Sequence, residues 1–282
     1  MESENPTGSM KDRMALAMIE AAEADRRLTA DGSVVEYTAG STGVSLAFVC
    51  AVKGYSLHIV TSDAFAREKL AHMQILGARL QIVPSDGGRM TATLTRDMVD
   101  AAAILAQEPG TFWTDQLNNA DPLPAYHKMA DEIWAQTDAR VDVFVQSVGT
   151  AASVRGVGER LREQNKRIQI VAVEPAESAV LSGGPAGAHK IDGVGAGYVV
   201  PLWHDAIADR IEPVSSNEAV AMTLRLAREE GLFAGTSTGA NLIAALRLAE
   251  DMAPDSTIVT VMCDTGMKYL STSSLQSNLE RH

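Results

Sequence analysis

A chain of 282 residues, 46% hydrophobic and 21% charged, is long enough to bury a substantial core without metals or disulfides, as one large domain or two modest ones. Its 36 acidic and 24 basic residues give a formal charge of −12, which argues against a nucleic-acid or anionic-membrane binder because both need a basic face. Its two cysteines, Cys50 and Cys263, lie far apart with no CxxC partner, which excludes a disulfide scaffold or zinc-finger framework and points to a reducing, cytoplasmic compartment.

The first residues are acidic and polar, with no signal-peptide core. A helix is expected over about 13–24, then a strand at 34–37, a Gly/Ser/Thr turn and a helix at 42–53. The apolar stretch inside that helix ends at Lys53-Gly54, short of a membrane span. A strand at 57–61 and a helix at 64–76 follow. Gly77 is a suitable C-cap before a strand at 79–83. A helix at 93–107 and a short strand at 111–113 complete the first half. The second half repeats the rhythm: helix 124–136, strand 141–146, helix 154–164, strand 168–173, a Gly-rich irregular stretch, helices 217–230 and 238–253, and a strand at 257–262. Repeated βα units predict an α/β fold of two domains, each with a mostly parallel sheet flanked by helices. The boundary is expected at 119/120, so that residues 1–119 form a smaller N-terminal domain and residues 120–282 a larger one.

In such sheets ligands gather where strands lead into helices. Two Gly/Ser/Thr segments occupy such places, Thr38-Ala39-Gly40-Ser41-Thr42-Gly43 and Ser147 to Ser153, and a third, Gly235-Thr236-Ser237-Thr238-Gly239, also leads into a helix. Each offers backbone N–H groups at a helix N-terminus, which suits a phosphate or carboxylate. Any one of them also serves simply to turn and cap the chain; three together favour an anion site. There is no Gly-Lys dipeptide for a Walker loop, Gly193-Val194-Gly195-Ala196-Gly197 has the wrong spacing for a dinucleotide fingerprint, and the scattered histidines predict no metal site. Gly235 to Gly239 matches GxSxG, but the only histidine downstream is His282, so the match is read as chance. Lys11 heads a helix, where the positive end of the dipole favours a neutral amine and hence a nucleophile. A solvated lysine beside Asp12 fits that segment equally well.

Taken together, these segments resemble the cysteine synthase (O-acetylserine sulfhydrylase) and cystathionine β-synthase family of pyridoxal-phosphate enzymes, fold type II, as in the tryptophan synthase β-subunit. Asn5-Pro6-Thr7-Gly8-Ser9-Met10-Lys11-Asp12-Arg13 is similar to the family's Schiff-base segment, with Lys11 as the lysine that carries pyridoxal 5′-phosphate and acts as general base. The resemblance assigns the substrate carboxylate to Thr38, Ala39, Gly40, Ser41, Thr42 and Gln116. It assigns the cofactor to Lys11, Ser41, Gly193 and Thr265, with the phosphate on Gly149-Thr150-Ala151-Ala152-Ser153. Thr265 stands where the family places a hydroxyl against the pyridine nitrogen.

Two substitutions depart from the pattern. Ser41 replaces the usual asparagine beside the cofactor's phenolic oxygen, and Ala151-Ala152 replaces paired glycines, at ~1–2 kcal/mol if either must take φ > 0. Family members also carry residues ahead of the lysine segment, including a strand, so an exposed sheet edge is expected. The implied function is β-replacement on an activated serine, O-acetylserine and sulfide giving cysteine, by a cytoplasmic homodimer that takes an amino-acid substrate and binds neither nucleic acid nor membrane. The alternatives are a β-eliminating lyase or dehydratase acting on serine, threonine or cysteine, and a non-catalytic relative.

Overall fold

The computed structural model describes residues 1–87, 91–272, 275 and 276. The chain forms two compact units, one of Glu4–Asp121 with the described residues from Lys268 on, the other of Pro122–Met267 with Met1–Ser3. The passage between them falls at Asp121/Pro122, two residues past the expected 119/120. The described residues from Lys268 on pack with the N-terminal unit instead of staying with the C-terminal one. The reason is a set of long-range contacts that no local pattern encodes. The Glu68 carboxylate accepts hydrogen bonds from the Ser271 backbone and hydroxyl, and the Lys69 ammonium lies 4.2 Å from the centre of the Tyr269 ring.

In the N-terminal unit the elements run α1 (Lys11–Ala24), β1 (Ser33–Tyr37), α2 (Ser41–Lys53), β2 (Ser56–Ser62), α3 (Arg67–Ile75), β3 (Arg79–Val83), α4 (Ala92–Leu105) and β4 (Thr111–Trp113). All four strands are parallel, in the order β3-β2-β1-β4. β1 is the buried centre, with Val34 level with Leu57 on one side and Phe112 on the other. A parallel strand covered on both faces reads as a β-branched run, which is what Val34-Val35 supplies. Gly77, at φ 94°, ends the α3 turn as expected, and Ala78 leads from it into β3.

The C-terminal unit contains α5 (Leu123–Gln136), β5 (Val143–Ser147), α6 (Ala152–Gln164), β6 (Gln169–Pro175), β7 (Arg210–Val214), α7 (Ser216–Glu230), α8 (Thr236–Glu250) and β8 (Ile258–Thr260). Its parallel sheet has the order β7-β6-β5-β8. Val143, Val145, Val171, Val173 and Val214 pack with Ala240, Ala244 and Leu248 of α8 to make its core. α7 opens on a capping box, the Ser215 hydroxyl and Glu218 carboxylate each answering the other's backbone N–H. β7 was not foreseen in the Gly-rich stretch. It carries Arg210, Glu212 and Pro213, and Pro is tolerated there because β7 is an edge strand. No helix among the described residues is long and apolar enough to cross a membrane.

Candidate active site

Both sheets share one topological feature. From β1 the chain winds outward through β2 to β3, and β4 then returns to the other side of β1. β5 holds the same place among β6, β7 and β8. Ligands bind at the carboxyl end of such a switch-point strand. The loops leaving these two strands are Thr38 to Gly40, before α2, and Val148 to Ala151, before α6. They are two of the three segments singled out from sequence.

The lysine segment is a pre-formed turn. Gly8 N–H closes onto Asn5 O at 2.7 Å, and the Asn5 side-chain amide donates to Ser9 O at 3.1 Å. Lys11 is the first residue of α1, two residues earlier than predicted, and its N–H donates to Ser9 Oγ at 3.2 Å. Asp12 is buried and accepts from Thr7 N–H at 2.8 Å and from the Thr7 hydroxyl at 2.5 Å. The Thr7 hydroxyl also lies 3.3 Å from Ser45 Oγ on α2. Asp12 is therefore engaged with its own loop, and Lys11 sits half-buried on a fixed turn.

Thr38 and Thr42 are brought together with Gln116, more than seventy residues away in sequence. Thr38 N–H pairs with Val60 O at 3.0 Å, and its hydroxyl accepts Gly40 N–H at 3.1 Å. Thr42 Oγ1 donates to Gln116 Oε1 at 2.7 Å, and Gln116 Nε2 donates to Tyr37 O at 3.0 Å. The reverse amide orientation would set two oxygens face to face at Tyr37, so the network fixes it. With the Thr42 hydroxyl hydrogen given to Gln116, a carboxylate would be met by the α2 backbone N–H groups and the second Nε2 hydrogen. α2 has no side-chain cap and no acidic residue in its first turn. A Cβ on Gly40 would lie 2.3 Å from the Lys69 stem, so the loop rests directly on that buried lysine. Ser41 is half-buried at the start of α2, and Ala39 is exposed.

Sequence reasoning missed Glu36, which ends its reach at the same place. It is wholly buried and accepts from Tyr37 N–H at 2.9 Å, the Thr114 hydroxyl at 2.6 Å and Gln116 N–H at 3.0 Å. Burial pushes its carboxyl up to about 8, against the opposing pull of these donors, and the Asp115 charge adds to the rise. The signal available was a single acidic residue inside an apolar parallel strand. Lys69, buried beneath Gly40, gave no comparable signal.

In the C-terminal unit the structure brings Gly149 and Gly193 into direct apposition. Gly195 N–H donates to Val148 O at 3.0 Å, and a Cβ on Gly149 would lie 2.5 Å from Gly193 O. Ala151 takes the left-handed conformation at φ 68°, while Ala152 opens α6. The αL cost foreseen for this pair thus falls on Ala151 alone. Thr150 and Ala152 are buried and Ser153 half-buried. α6 has no side-chain cap and no acidic first-turn residue, and Ser147 Oγ, one residue before Val148, is buried without a hydrogen-bond partner among the described residues. A helix end without a side-chain cap, beside a loop in which Gly149 admits no Cβ, fits a phosphate dianion.

Thr265 pairs with Ala234 in an isolated bridge, and its Oγ1 accepts Met267 N–H at 3.3 Å, which leaves the hydroxyl hydrogen to donate. In the GxSxG segment, Thr236 Oγ1 accepts Asp192 N–H at 2.9 Å and Thr238 Oγ1 accepts Cys263 N–H at 3.0 Å. These hydroxyls hold neighbouring loops in place, and a Cβ on Gly239 would meet Ala219 O at 2.1 Å. The segment thus has a packing role, and His282 lies outside the described residues. Among the described residues no group of His, Cys, Asp or Glu could hold a metal ion.

Residues 1–264 match the family model described as pyridoxal-phosphate dependent enzyme. The chain is 38% identical over 275 residues to a cysteine synthase of Staphylococcus aureus, covering 96% of this chain and 86% of that protein. Among solved structures it is similar to O-acetyl serine sulfhydrylase isoform 3 from Entamoeba histolytica, with 37% identity, a TM-score of 0.88, and 96% and 80% of the two chains covered. It is also similar to a hydrogen sulfide-producing enzyme from Fusobacterium nucleatum, with 35% identity, a TM-score of 0.88, and 96% and 88% covered.

Proposed function

The chain belongs to the pyridoxal-phosphate dependent enzymes, and from that premise we propose that it performs β-replacement, converting O-acetylserine and sulfide to cysteine. The observation that supports the reading is the Thr42–Gln116 pair at the uncapped end of α2, an arrangement suited to an amino-acid carboxylate, in the unit that also carries Lys11. When bound, the cofactor supplies an electron sink for the pair left at the substrate's α-carbon. Lys11 Nζ would hold the cofactor through its aldehyde carbon. With substrate bound, the Lys11 amine would take the α-proton as acetate leaves the β-carbon, and return it once hydrosulfide has added there. Gly149 to Ser153 would hold the phosphate on backbone N–H groups, with the Thr150 and Ser153 hydroxyls on the same segment. The Thr265 hydroxyl would donate to the ring nitrogen without protonating it, which would favour loss of a β-substituent over transamination. Ser41, on the α2 end, is assigned to both the cofactor and the substrate carboxylate.

The likeness to the sulfide-producing Fusobacterium enzyme favours a second reading, β-elimination, in which pyruvate forms with no added nucleophile. A homodimer and a cytoplasmic location are part of the same proposal. The first is supported by the family resemblance and the second by two buried cysteines that form no disulfide.

The protein with pyridoxal phosphate, O-acetylserine and sulfide is expected to yield cysteine, and borohydride reduction followed by mass mapping is expected to place the adduct on Lys11. An adduct on another lysine, or no product with any sulfur nucleophile, would overturn the reading.

A further inference from the structure

Resting on the assignment of Thr38 to Thr42 and Gln116 to the substrate carboxylate, we propose that Glu36 is the positioning residue of that receptor, tying the exit of β4 to β1 so that the Gln116 amide meets Thr42. A carboxyl at the centre of a parallel sheet is costly unless every oxygen is matched. Here the two oxygens clamp two segments. Oε1 takes Tyr37 N–H on its own strand, and Oε2 takes both Thr114 Oγ1 and Gln116 N–H. Strand pairing stops at Trp113 opposite Val35, and Asp115 then turns through φ 42°. Thr114 N–H still reaches Val35 O, at 3.1 Å, but beyond it Glu36 supplies what the ladder no longer does. The order of control runs from Glu36 to the Gln116 backbone, from the Gln116 amide to Thr42, and from Thr42 to the open end of α2.

The Thr114 hydroxyl makes this clamp particular to a carboxyl. It has one hydrogen and two acceptors, Glu36 Oε2 at 2.6 Å and Val35 O at 3.3 Å. With Glu36 ionised, the hydrogen goes to Oε2. With Glu36 neutral, the carboxyl O–H donates to Thr114, whose own hydrogen turns to Val35 O, and Oε2 still accepts Gln116 N–H. The heavy atoms keep their places in both states. A glutamine cannot do this. Its NH₂ group would face either Gln116 N–H or Tyr37 N–H, so one buried backbone donor loses its acceptor.

The test compares the holoenzyme with its Glu36→Gln, Thr114→Val and Gln116→Ala variants. Two readouts are used: KM against kcat for O-acetylserine, and equilibrium binding of L-alanine and L-alaninamide followed by the visible absorbance of the cofactor. Glu36→Gln is expected to raise KM about tenfold with kcat within about threefold, the tenfold corresponding to one lost buried hydrogen bond. It is expected to weaken L-alanine about tenfold and to leave the amide unchanged, with Gln116→Ala losing the same preference. Thr114→Val removes one donor without touching Glu36 and is expected to lose part of the preference, so it carries the test if Glu36→Gln does not fold. Retention of the carboxylate preference in these Glu36 and Thr114 variants, or equal weakening of both ligands, overturns the proposal. A wild-type protein that binds neither pyridoxal phosphate nor L-alanine instead overturns the reading on which it rests.

Discussion

Replacing Glu36 by Gln should change how the N-terminal unit responds to pH, in a direction fixed by the structure. In the unfolded chain the carboxyl ionises near 4.5, and in the folded unit burial raises it to about 8. Between those values the folded state binds the extra proton, so raising the pH costs stability. The contribution is fully present below about 4.5 and is lost as pH rises through about 8. The interval spans about 3.5 in pH, and at about 1.4 kcal/mol per pH unit the ceiling is about 5 kcal/mol. That is a large share of the roughly 5–15 kcal/mol by which a domain is usually stable. Amide exchange measured by mass spectrometry on peptides spanning 33–37 and 111–116, at pH 5, 7 and 9, isolates the unit. Subtracting the variant from the wild type cancels carboxylates such as Glu23 and Asp63, whose ionised forms are favoured in the fold by Lys53 and Ser85. The wild type should lose at least about 1.5 kcal/mol more protection than Glu36→Gln across the range. Parallel profiles, or a wild type that gains protection relative to the variant as pH rises, would refute the reasoning.

Three further substitutions probe the other parts of the site. Gly149→Ala forces a Cβ to within 2.5 Å of Gly193 O, a backbone atom that must move; it should weaken pyridoxal-phosphate binding at least about tenfold, read by absorbance titration, at a stability cost of about 1–3 kcal/mol. Ala151→Gly relieves a left-handed alanine at φ 68° and, after the entropy glycine adds to the unfolded chain, should raise Tm by about 1–3 °C; a lower Tm would count against the strain. Asp12→Ala removes both bonds that fold Thr7 onto α1; the urea midpoint should fall by the equivalent of about 2–3 kcal/mol, and the yield of borohydride-trapped adduct on Lys11 should fall with it.

What the amino-acid order made legible follows the strength of local signals. The strands at 79–83 and 111–113 appear with the predicted bounds, and the remaining predicted helices and strands differ mainly at their ends. Those ends moved for identifiable reasons. α6 begins at Ala152 because Ala151 turns left-handed just before it, and α3 begins only at Arg67 because Ala66 is extended, at ψ 126°. β7 was hidden by Pro213 and its charged neighbours. Glu36 escaped notice because alternation would turn it toward water on a half-buried strand, whereas here both faces of β1 are covered. The packing of Tyr269 and Ser271 rests on Lys69 and Glu68, some two hundred positions earlier, which periodicity does not register. The Lys11 segment alone left two readings balanced, and the order of loops along the whole chain was needed to separate them.

The strand orders β3-β2-β1-β4 and β7-β6-β5-β8 are one plan used twice. Each copy ends its middle strand under a helix tip with no side-chain cap, so on the proposed reading the chain would own two grips for negative charge. A lineage could therefore retune residues around α2 for a different amino acid while the tip of α6 kept its cargo, and new specificities could arise without first surrendering the prosthetic group.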